Sequence, residues 1–442
     1  MTGLRAEVSP AVAGTVPVRR AALAFIFVTV ALDMLSLGII APVLPKLVLA
    51  FEGGNSASAA AICGLFGTVY SAMQFVFAPL LGALSDRFGR RAVILLSNLA
   101  LAVDYVIVAL APTVAWLFVG RVLSGICGAS YTPAGAYIAD VTLPERRAAG
   151  FGLISAAFGF GFVVGPALGG LAGSVNPRLP FWIAAGLSLT NTLYGLLVLP
   201  ESLPVERRAL FQRKRANPVG ALMLLRSHAH VLGLAGVAFV SAVAHEVQPS
   251  LFVLYTDYRY GWDTRTVGLV LAAVGVMSAV VGAGLVRVAV ERLGERRTLL
   301  LGLAFGACGF ALYGLAPTGA VFFAGVPLLA LWGLAGPSGQ SLMTQHVDPS
   351  EQGRLQGAIS GVQGVAFMIG PVLFTAVYAA FIGTRSGWQL PARHSCSRRC
   401  SSRRASGSHG ASRAAETALR TYRTPRSSAR PSASVPRRSR LH

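Results

Sequence analysis

Four ionisable residues lie inside long apolar runs, where a charge is costly unless it has a partner or a function. Asp33 lies in ALDMLSLGIIAPVLP, Asp104 in LAVDYVIVAL, and Glu246, beside His245, toward the outer end of the seventh apolar run. A low-dielectric environment disfavours the charged form of a carboxyl group, so such an acid can alternately bind and release a proton. We therefore predict proton coupling at these acids, first at Asp33 and Asp104, with structural hydrogen bonding as the alternative. Arg121 is permanently charged and needs an acidic or carbonyl partner, whereas Asp140 is expected at the membrane interface.

The elements that carry these residues are predicted membrane spans. Of the 442 residues 54% are hydrophobic and only 12% are charged, about half the charged share of a typical soluble domain. Eleven apolar runs are each long enough to cross a hydrocarbon layer of about 30 Å as a helix. The chain is therefore predicted to be an all-α membrane protein with spans near residues 21–45, 59–81, 92–111, 115–138, 150–173, 180–199, 230–254, 266–289, 298–316, 320–343 and 355–382.

The basic residues predict the orientation of these spans. If the N-terminus is cytoplasmic, the only basic loop residues before residue 385 that fall outside are Lys46, Arg178, Arg259 and Arg265. This bias agrees with the positive-inside rule, and the first span has no cleavage site, so it reads as a retained helix. We expect a multi-pass protein of the bacterial inner membrane with a cytoplasmic N-terminus. Its net charge of +21 gives no reason to expect a nucleic-acid partner, because residues 385–442 hold 14 arginines and one acid.

A repeat at a constant offset of 205 residues divides the chain into two related halves. Asp86-Arg87 is matched by Glu291-Arg292, and Gly165-Pro166 by Gly370-Pro371. Such a register predicts two parallel six-helix halves. The predicted divisions are a cytoplasmic N-terminus (1–20), an N-terminal six-helix half (21–199), a cytoplasmic connector (200–229), a C-terminal half with five helices (230–384) and an Arg/Ser-rich disordered tail (385–442).

The tail stands where a twelfth span is expected. Its sequence SCSRRCSSRRASGSHG cannot cross a bilayer, because each central arginine costs a few kcal/mol. We interpret the twelfth helix as missing or replaced, either by an out-of-frame reading of the gene or by a genuine basic tail.

Two glycine-containing motifs resemble those of a known transporter family. GALSDRFGRR, between the second and third spans, resembles the signature loop of the major facilitator superfamily. That resemblance implies that Asp86 engages a neighbouring helix start, such as that of the eleventh span, and gates the transporter. The gating-loop residues are Gly82, Asp86, Arg87, Gly89, Arg90 and Arg91.

GFGFVVGPALGG, in the fifth span, resembles the antiporter motif of drug-efflux members, although its glycines and proline could serve helix packing alone. The motif favours export over uptake. Its predicted site residues are Gly161, Gly165, Pro166, Gly169 and Gly170.

Several segments together are similar to the tetracycline-resistance efflux group of this superfamily. They include LDMLSLGIIAPVLPKL, YSAMQFVFAPLLGALSDRFGRR, AVDY, GRVLSGICGAS, LPES and FVLYTDYRYGW, and the resemblance runs from about residue 21 to 391. It implies the major facilitator fold and antiport of a magnesium–tetracycline chelate against protons, by a monomer without a permanently bound cofactor. It also implies a role of Arg121 in proton transfer, with a structural salt bridge as the alternative.

By the same resemblance, Tyr70, Gln74 and Gln340 are candidate substrate-binding residues, with helix–helix hydrogen bonding as the alternative for each. One departure concerns Ser278 and Gly306, which stand where members of the group have a histidine and an aspartate. The departure leaves the substrate open between tetracycline and another amphipathic drug. It also assigns proton coupling to Asp33, Asp104 and Glu246.

The sequence also bears on three other functions. A proton-coupled uptake symporter is disfavoured by the antiporter motif, whereas a non-transporting product of a damaged gene would follow from loss of the twelfth helix. A membrane enzyme is disfavoured because the sequence has no nucleophile elbow, phosphate-binding glycine loop or metal-ligand cluster.

Overall fold

The structure, a computed structural model, describes residues 16–128, 131–142, 147–208, 229–347 and 352–382. Within these ranges eleven helices are long and apolar enough to span a membrane, as the sequence predicts, and no twelfth is found. The tail and most of the connector (209–228) lie outside the described residues. Six spans are single helices: Ser56–Phe88, Arg90–Leu110, Arg147–Val175, Leu179–Val198, Glu295–Leu315 and Gln352–Ile382.

Of the other five spans, the first, seventh, eighth and tenth are divided, and the fourth is described on either side of residues 129 and 130. The first comprises Val16–Ile40 and Leu44–Phe51, the fourth Val114–Gly128 and Tyr131–Val141, and the seventh Ala229–His245 and Val247–Tyr260. The eighth comprises Thr264–Val280, a π-helical turn Val281–Leu285, and Val286–Leu293. The tenth comprises Gly319–Leu331, a 3-10 turn Trp332–Leu334, and Ala335–Thr344.

Single glycines join the second span to the third and the eighth to the ninth. Gly89 has φ +103° and Gly294 has φ +78°, conformations that side-chain-bearing residues rarely adopt. The face of the protein that holds these two turns, together with the start of the connector at residue 201, is called the connector face below, and the other side the opposite face. The two turns occupy equivalent positions of the 205-residue repeat.

The fifth span packs backbone against backbone on two sides. Toward the first span, a Cβ atom added to Gly165 would lie 2.6 Å from the Cα atom of Gly38, so only glycine fits there. Toward the eighth span, which belongs to the other half, a Cβ atom on Gly268 would lie 2.3 Å from the carbonyl oxygen of Pro166. Close approach of this kind is typical of small residues at helix interfaces in membranes.

The eleventh span makes the corresponding contacts with the second. A Cβ atom on Gly67 would lie 2.9 Å from the Cβ atom of Pro371, and the Thr68 hydroxyl donates a hydrogen bond to the carbonyl oxygen of Met368 at 2.7 Å. In the repeat, the fifth span is equivalent to the eleventh and the eighth to the second. The packing therefore reproduces in space the two-half organisation read from the sequence.

One ion pair joins the halves at the opposite face. The Lys46 ammonium group lies 2.7 Å from a carboxylate oxygen of Asp257 and also donates to the carbonyl oxygen of Trp262. This pair holds the first span against the end of the seventh at that face, in addition to the glycine contacts of the fifth span with the eighth and of the eleventh with the second.

Candidate functional site: a buried polar core in the N-terminal half

Asp33 lies among polar side chains from three spans. The Asn191 amide nitrogen, from the sixth span, is 3.1 Å from a carboxylate oxygen of Asp33 and 2.9 Å from the carbonyl oxygen of Thr29. Asn98, from the third span, donates to both carboxylate oxygens at 3.1 and 3.0 Å when its amide nitrogen faces Asp33, the orientation that satisfies its polar atoms. Both asparagines are fully buried. The predicted coupling acid is thus held by two amide side chains.

Asn98 and Asn191 are not among the site residues predicted from the sequence. The available signal was an amide within an apolar run, as in ILLSNLALAVDY and LSLTNTLYG. Such residues commonly hydrogen-bond across helix interfaces, so their presence in a span does not by itself name a partner. Only the packing of the first span against the third and sixth brings them to Asp33.

Asp104 and Arg121 form a second buried polar group. Asp104 is fully buried and Arg121 is 8% exposed, yet neither carboxylate oxygen of Asp104 has a hydrogen-bond partner among the described residues, nor does the Nε atom of Arg121. The guanidinium group of Arg121 lies 5.8 Å from the centre of the Tyr70 ring. Gln74 donates to the Tyr70 hydroxyl at 2.8 Å.

This second group joins three sets of predicted residues: an acid, the buried arginine, and the Tyr70–Gln74 pair. Glycines of the fourth span make room for that pair. A Cβ atom on Gly125 would lie 2.7 Å from the carbonyl oxygen of Tyr70, and one on Gly128 would lie 2.9 Å from the Gln74 amide nitrogen. The fourth-span motif therefore keeps small residues where the second span carries its polar side chains.

Glu246 and Gln340 lie apart from this core, in the C-terminal half. Glu246 stands at the junction of the two helices of the seventh span, against the eleventh span, where a Cβ atom on Gly370 would lie 2.5 Å from the Glu246 Cβ. Gln340 donates to the side chain of Gln356 at 2.9 Å. The roles of both residues in coupling and binding stay predictions.

The gating loop is stabilised by a charge network at the connector face. Arg90 contacts Asp86 at 2.5 Å and Asp140 at 3.2 Å, and donates to the Ser85 hydroxyl at 2.7 Å. Asp86 therefore pairs with an arginine four residues further along its own loop. The start of the eleventh span lies partly outside the described residues, so the expected contact of Asp86 with that helix stays a prediction.

Glu201, just after the sixth span, completes the network. Its carboxylate accepts from the backbone nitrogen of Arg90 at 2.9 Å, at the first residue of the third span. An acid here stabilises the positive end of the helix dipole. A Cβ atom on Gly89 would lie 2.3 Å from the Glu201 carboxylate, so this glycine is required both for its backbone angle and for the space. Arg91 donates to the carbonyl oxygen of Leu196 at 2.5 Å, whereas Arg87 extends over Phe88.

The departure at position 306 has a structural reason. A Cβ atom on Gly306 would lie 2.8 Å from the ring of Trp332, which occupies the space that a larger side chain would need. The Trp332 indole nitrogen donates to the Ser241 hydroxyl at 3.2 Å. The indole ring of Trp332 thus fills the space between the ninth and tenth spans at Gly306.

Eleven spans in two repeated halves, with charged groups buried between spans and interdomain glycine contacts, define a membrane transporter of the two-repeat type and not an enzyme. The sequence matches the Major Facilitator Superfamily over residues 26–371, and the chain belongs to that family. This confirms the fold and family expected from the motifs.

Characterised relatives and solved structures agree with this assignment. The chain is 39% identical over 366 residues to the tetracycline resistance protein, class C, of Escherichia coli, which covers 83% of this chain and 92% of that protein. It is 38% identical over 362 residues to the class G protein of Vibrio anguillarum, covering 81% and 91%. A bacterial homolog of the human lysosomal transporter Spinster, solved in an inward-facing and unoccupied conformation, has the same fold, with a TM-score of 0.68, 18% identity and 84% of each chain covered.

Proposed function

We propose that the chain is a drug:proton antiporter that exports tetracycline or a related amphipathic drug from the cytoplasm. The observation that carries the proposal is a pair of acids within the spans of the N-terminal half: Asp104, which is buried together with Arg121, and Asp33, which is half-buried and hydrogen-bonded by Asn191. The names of the relatives support the substrate class, since both are tetracycline resistance proteins and this chain matches them over most of their length. The connector face is proposed to be cytoplasmic, in agreement with the basic residues of its loops.

The proposed cycle alternates which face is open. In this structure the opposite face is held by the Lys46–Asp257 pair and by contacts of the fifth span with the eighth and of the eleventh with the second. Rocking of the halves would break these contacts and open that face. A proton entering from that side would neutralise an acid of the core, and its release to the cytoplasm would restore the charge.

Arg121 is proposed to couple substrate to proton. Its guanidinium group lies 5.8 Å from the centre of the Tyr70 ring and is buried in the same group as Asp104, so a change of charge at the acid is proposed to act through Arg121 on the Tyr70–Gln74 pair. A magnesium chelate of the drug would be the transported species, and Tyr70, Gln74 and Gln340 are the side chains proposed to contact it.

The test is growth of a sensitive host that expresses the chain across a tetracycline gradient, with drug uptake into everted vesicles as the direct assay. Acidification of the vesicle interior should drive drug accumulation, and Asp104→Asn should abolish it. Proton-driven accumulation in intact cells would instead support an uptake symporter. Unchanged transport by Asp104→Asn would contradict the assignment of this acid.

One observation favours a second candidate, the non-transporting product of a damaged gene. The described part of the chain contains eleven spans, whereas two six-helix halves require twelve. The discriminating experiment compares the chain as written with a version that carries an apolar twelfth helix after Leu390-Pro391. Resistance from both supports the exporter, and resistance from the extended version alone supports the damaged gene.

A further inference from the structure

The Asn191 amide is unevenly satisfied. Its nitrogen faces three acceptors: the Thr29 carbonyl oxygen at 2.9 Å, Asp33 at 3.1 Å and, in the satisfied orientation of Asn98, the Asn98 oxygen at 3.0 Å. Its own oxygen is buried and has no hydrogen-bond partner among the described residues. An amide nitrogen has two hydrogens to donate, so one acceptor is left without a full bond.

This arrangement suits an ionised carboxylate at Asp33. An ionised carboxylate only accepts hydrogen bonds, and both asparagines direct amide nitrogens at it. Hydrogen bonds donated to the charged form of an acid favour that form. The cluster therefore stabilises the carboxylate that is left after the proton is released.

A protonated Asp33 has the opposite need. Its new O–H group requires an acceptor, and the side-chain oxygen of Asn191 is available because it has no hydrogen-bond partner among the described residues. Rotation of the Asn191 amide about its last side-chain bond would exchange its nitrogen and oxygen. The oxygen would then face the O–H group of Asp33, and Thr29 and Asn98 would lose a donor.

We propose that Asn98 and Asn191 are positioning residues that determine the pH at which Asp33 binds a proton, and that the Asn191 amide rotates when this proton binds. The inference rests on the proposed function only in taking Asp33 as a coupling acid. Because the two amides come from the third and sixth spans, protonation of Asp33 would change the hydrogen bonds that join these spans to the first.

Other ionisable groups face this cluster and contribute to its titration. The neighbouring spans bring Tyr70 from the second, Asp104 and Tyr105 from the third, and Arg121 from the fourth, all of them electrostatically linked. The fifth span carries no ionisable residue after Arg147, and the sixth carries Tyr194. These groups are present in every variant below, so they do not change the comparison.

The experiment follows the protonation of Asp33 by infrared spectroscopy on the purified full chain in lipid nanodiscs. The carboxyl C=O band that Asp33→Asn removes identifies the residue. We expect Asn98→Leu to move its midpoint toward alkaline pH by about 1 unit, since it removes a hydrogen bond to the charged form. Asn191→Leu should move it in the same direction by less, because Asn191 also accepts a hydrogen bond from the protonated form. Asn98→Ser and Asn191→Ser, which keep a donor, should give smaller shifts of the same sign.

Thr192→Val is the matched control, because its buried hydroxyl donates only to the carbonyl oxygen of Ser188 in its own helix. Its midpoint should not move. The proposal is overturned if the asparagine variants leave the midpoint unchanged, or if Thr192→Val moves it equally. A shifted midpoint in a chain that transports nothing would keep the positioning role and reject the exporter. Normal transport with an unmoved midpoint would reject the positioning role alone.

Discussion

The two halves of the molecule share a plan but bury different chemistry. In the N-terminal half the buried polar residues include an acid, two arginines and two asparagines: Arg90, Asn98, Asp104, Arg121 and Asn191. In the described part of the C-terminal half they are hydroxyl residues only: Thr256, Thr298, Ser338 and Thr375. Hydroxyl groups bond to carbonyl oxygens of their own helix and require no charged partner, as Thr256 and Ser338 do here. Among the described residues, the buried charged side chains therefore lie in the N-terminal half.

The same contrast holds at the connector face. Arg90 and Asp140 pair in the N-terminal half, and the equivalent positions 205 residues further on are Glu295 and Gln345, which are hydrogen-bonded at 2.6 Å. The positions that touch are thus kept, whereas an ion pair in one half is replaced by an acid–amide contact in the other. The two halves therefore share the geometry of this contact but differ in the chemical groups that make it.

The largest expected effect tests this division directly. Asp33→Asn and Asp104→Asn should each reduce proton-driven drug uptake into everted vesicles to the background level, because both remove an ionisable group from the N-terminal core. Glu246→Gln, the matched change in the C-terminal half, should retain measurable transport. If Glu246→Gln were as damaging as Asp104→Asn, coupling would be shared between the halves.

The second-largest effect is expected from reversing the charge of Arg90. Arg90→Glu places an acid beside Asp86, Asp140 and Glu201 and should destabilise the protein by about 2 kcal/mol or more, seen as a lower thermal unfolding temperature. Adding Asp140→Gln recreates the pair found at Glu295 and Gln345 and should recover part of the loss. A coupling of about 1 kcal/mol in the double-mutant cycle is expected, and additive effects would show that the two positions are not interchangeable between halves.

The two turn glycines give a smaller, matched test. Gly89→Ala and Gly294→Ala both incur the strain of a backbone angle that suits glycine, about 1–3 kcal/mol. Only at residue 89 would the new methyl group also displace Glu201, since no atom lies within 4 Å of a Cβ at Gly294. Gly89→Ala should therefore lower the unfolding temperature further. Equal effects would mean that Glu201 moves aside without cost.

The smallest effects concern an arginine cap that the two halves share. Arg178 donates to the carbonyl oxygen of Ala111 at 2.9 Å, and Arg259 donates to that of Ala316, the equivalent residue, also at 2.9 Å. Arg178→Ala should cost about 1 kcal/mol or slightly more, because Arg178 also donates to the carbonyl oxygen of Ala109 at 2.8 Å. Arg259→Ala should cost less, because the Tyr260 hydroxyl still donates to Ala316 at 2.9 Å. Thermal unfolding in detergent would measure both, and a much larger effect of either would show that its span depends on the cap.

The sequence predicted the spans, the repeat and the family because these follow from local patterns: apolar length, charge bias and motif spacing. The amide cluster at Asp33 could not be predicted in this way, because Asn98 and Asn191 meet Asp33 only through the packing of three spans. Similarly, Asp140 was expected at the interface, and its pairing with Arg90 depends on the approach of the fourth span to the gating loop. The contact between Trp332 and Gly306 involves two helices, so the sequence of either helix alone does not predict it.

The two glycine-rich sides of the fifth span bear on the speed of transport. Where helices interlock through branched side chains, sliding one past the other requires many rotamers to change together. At Gly165 and Gly38, and at Pro166 and Gly268, the touching atoms belong to the backbone. Of these two contacts, only that of Pro166 with Gly268 lies between the halves, so the halves can move along it without waiting for side chains to repack. We expect the height of the barrier to be set by the ion pair at Lys46 and Asp257 rather than by the helix interfaces.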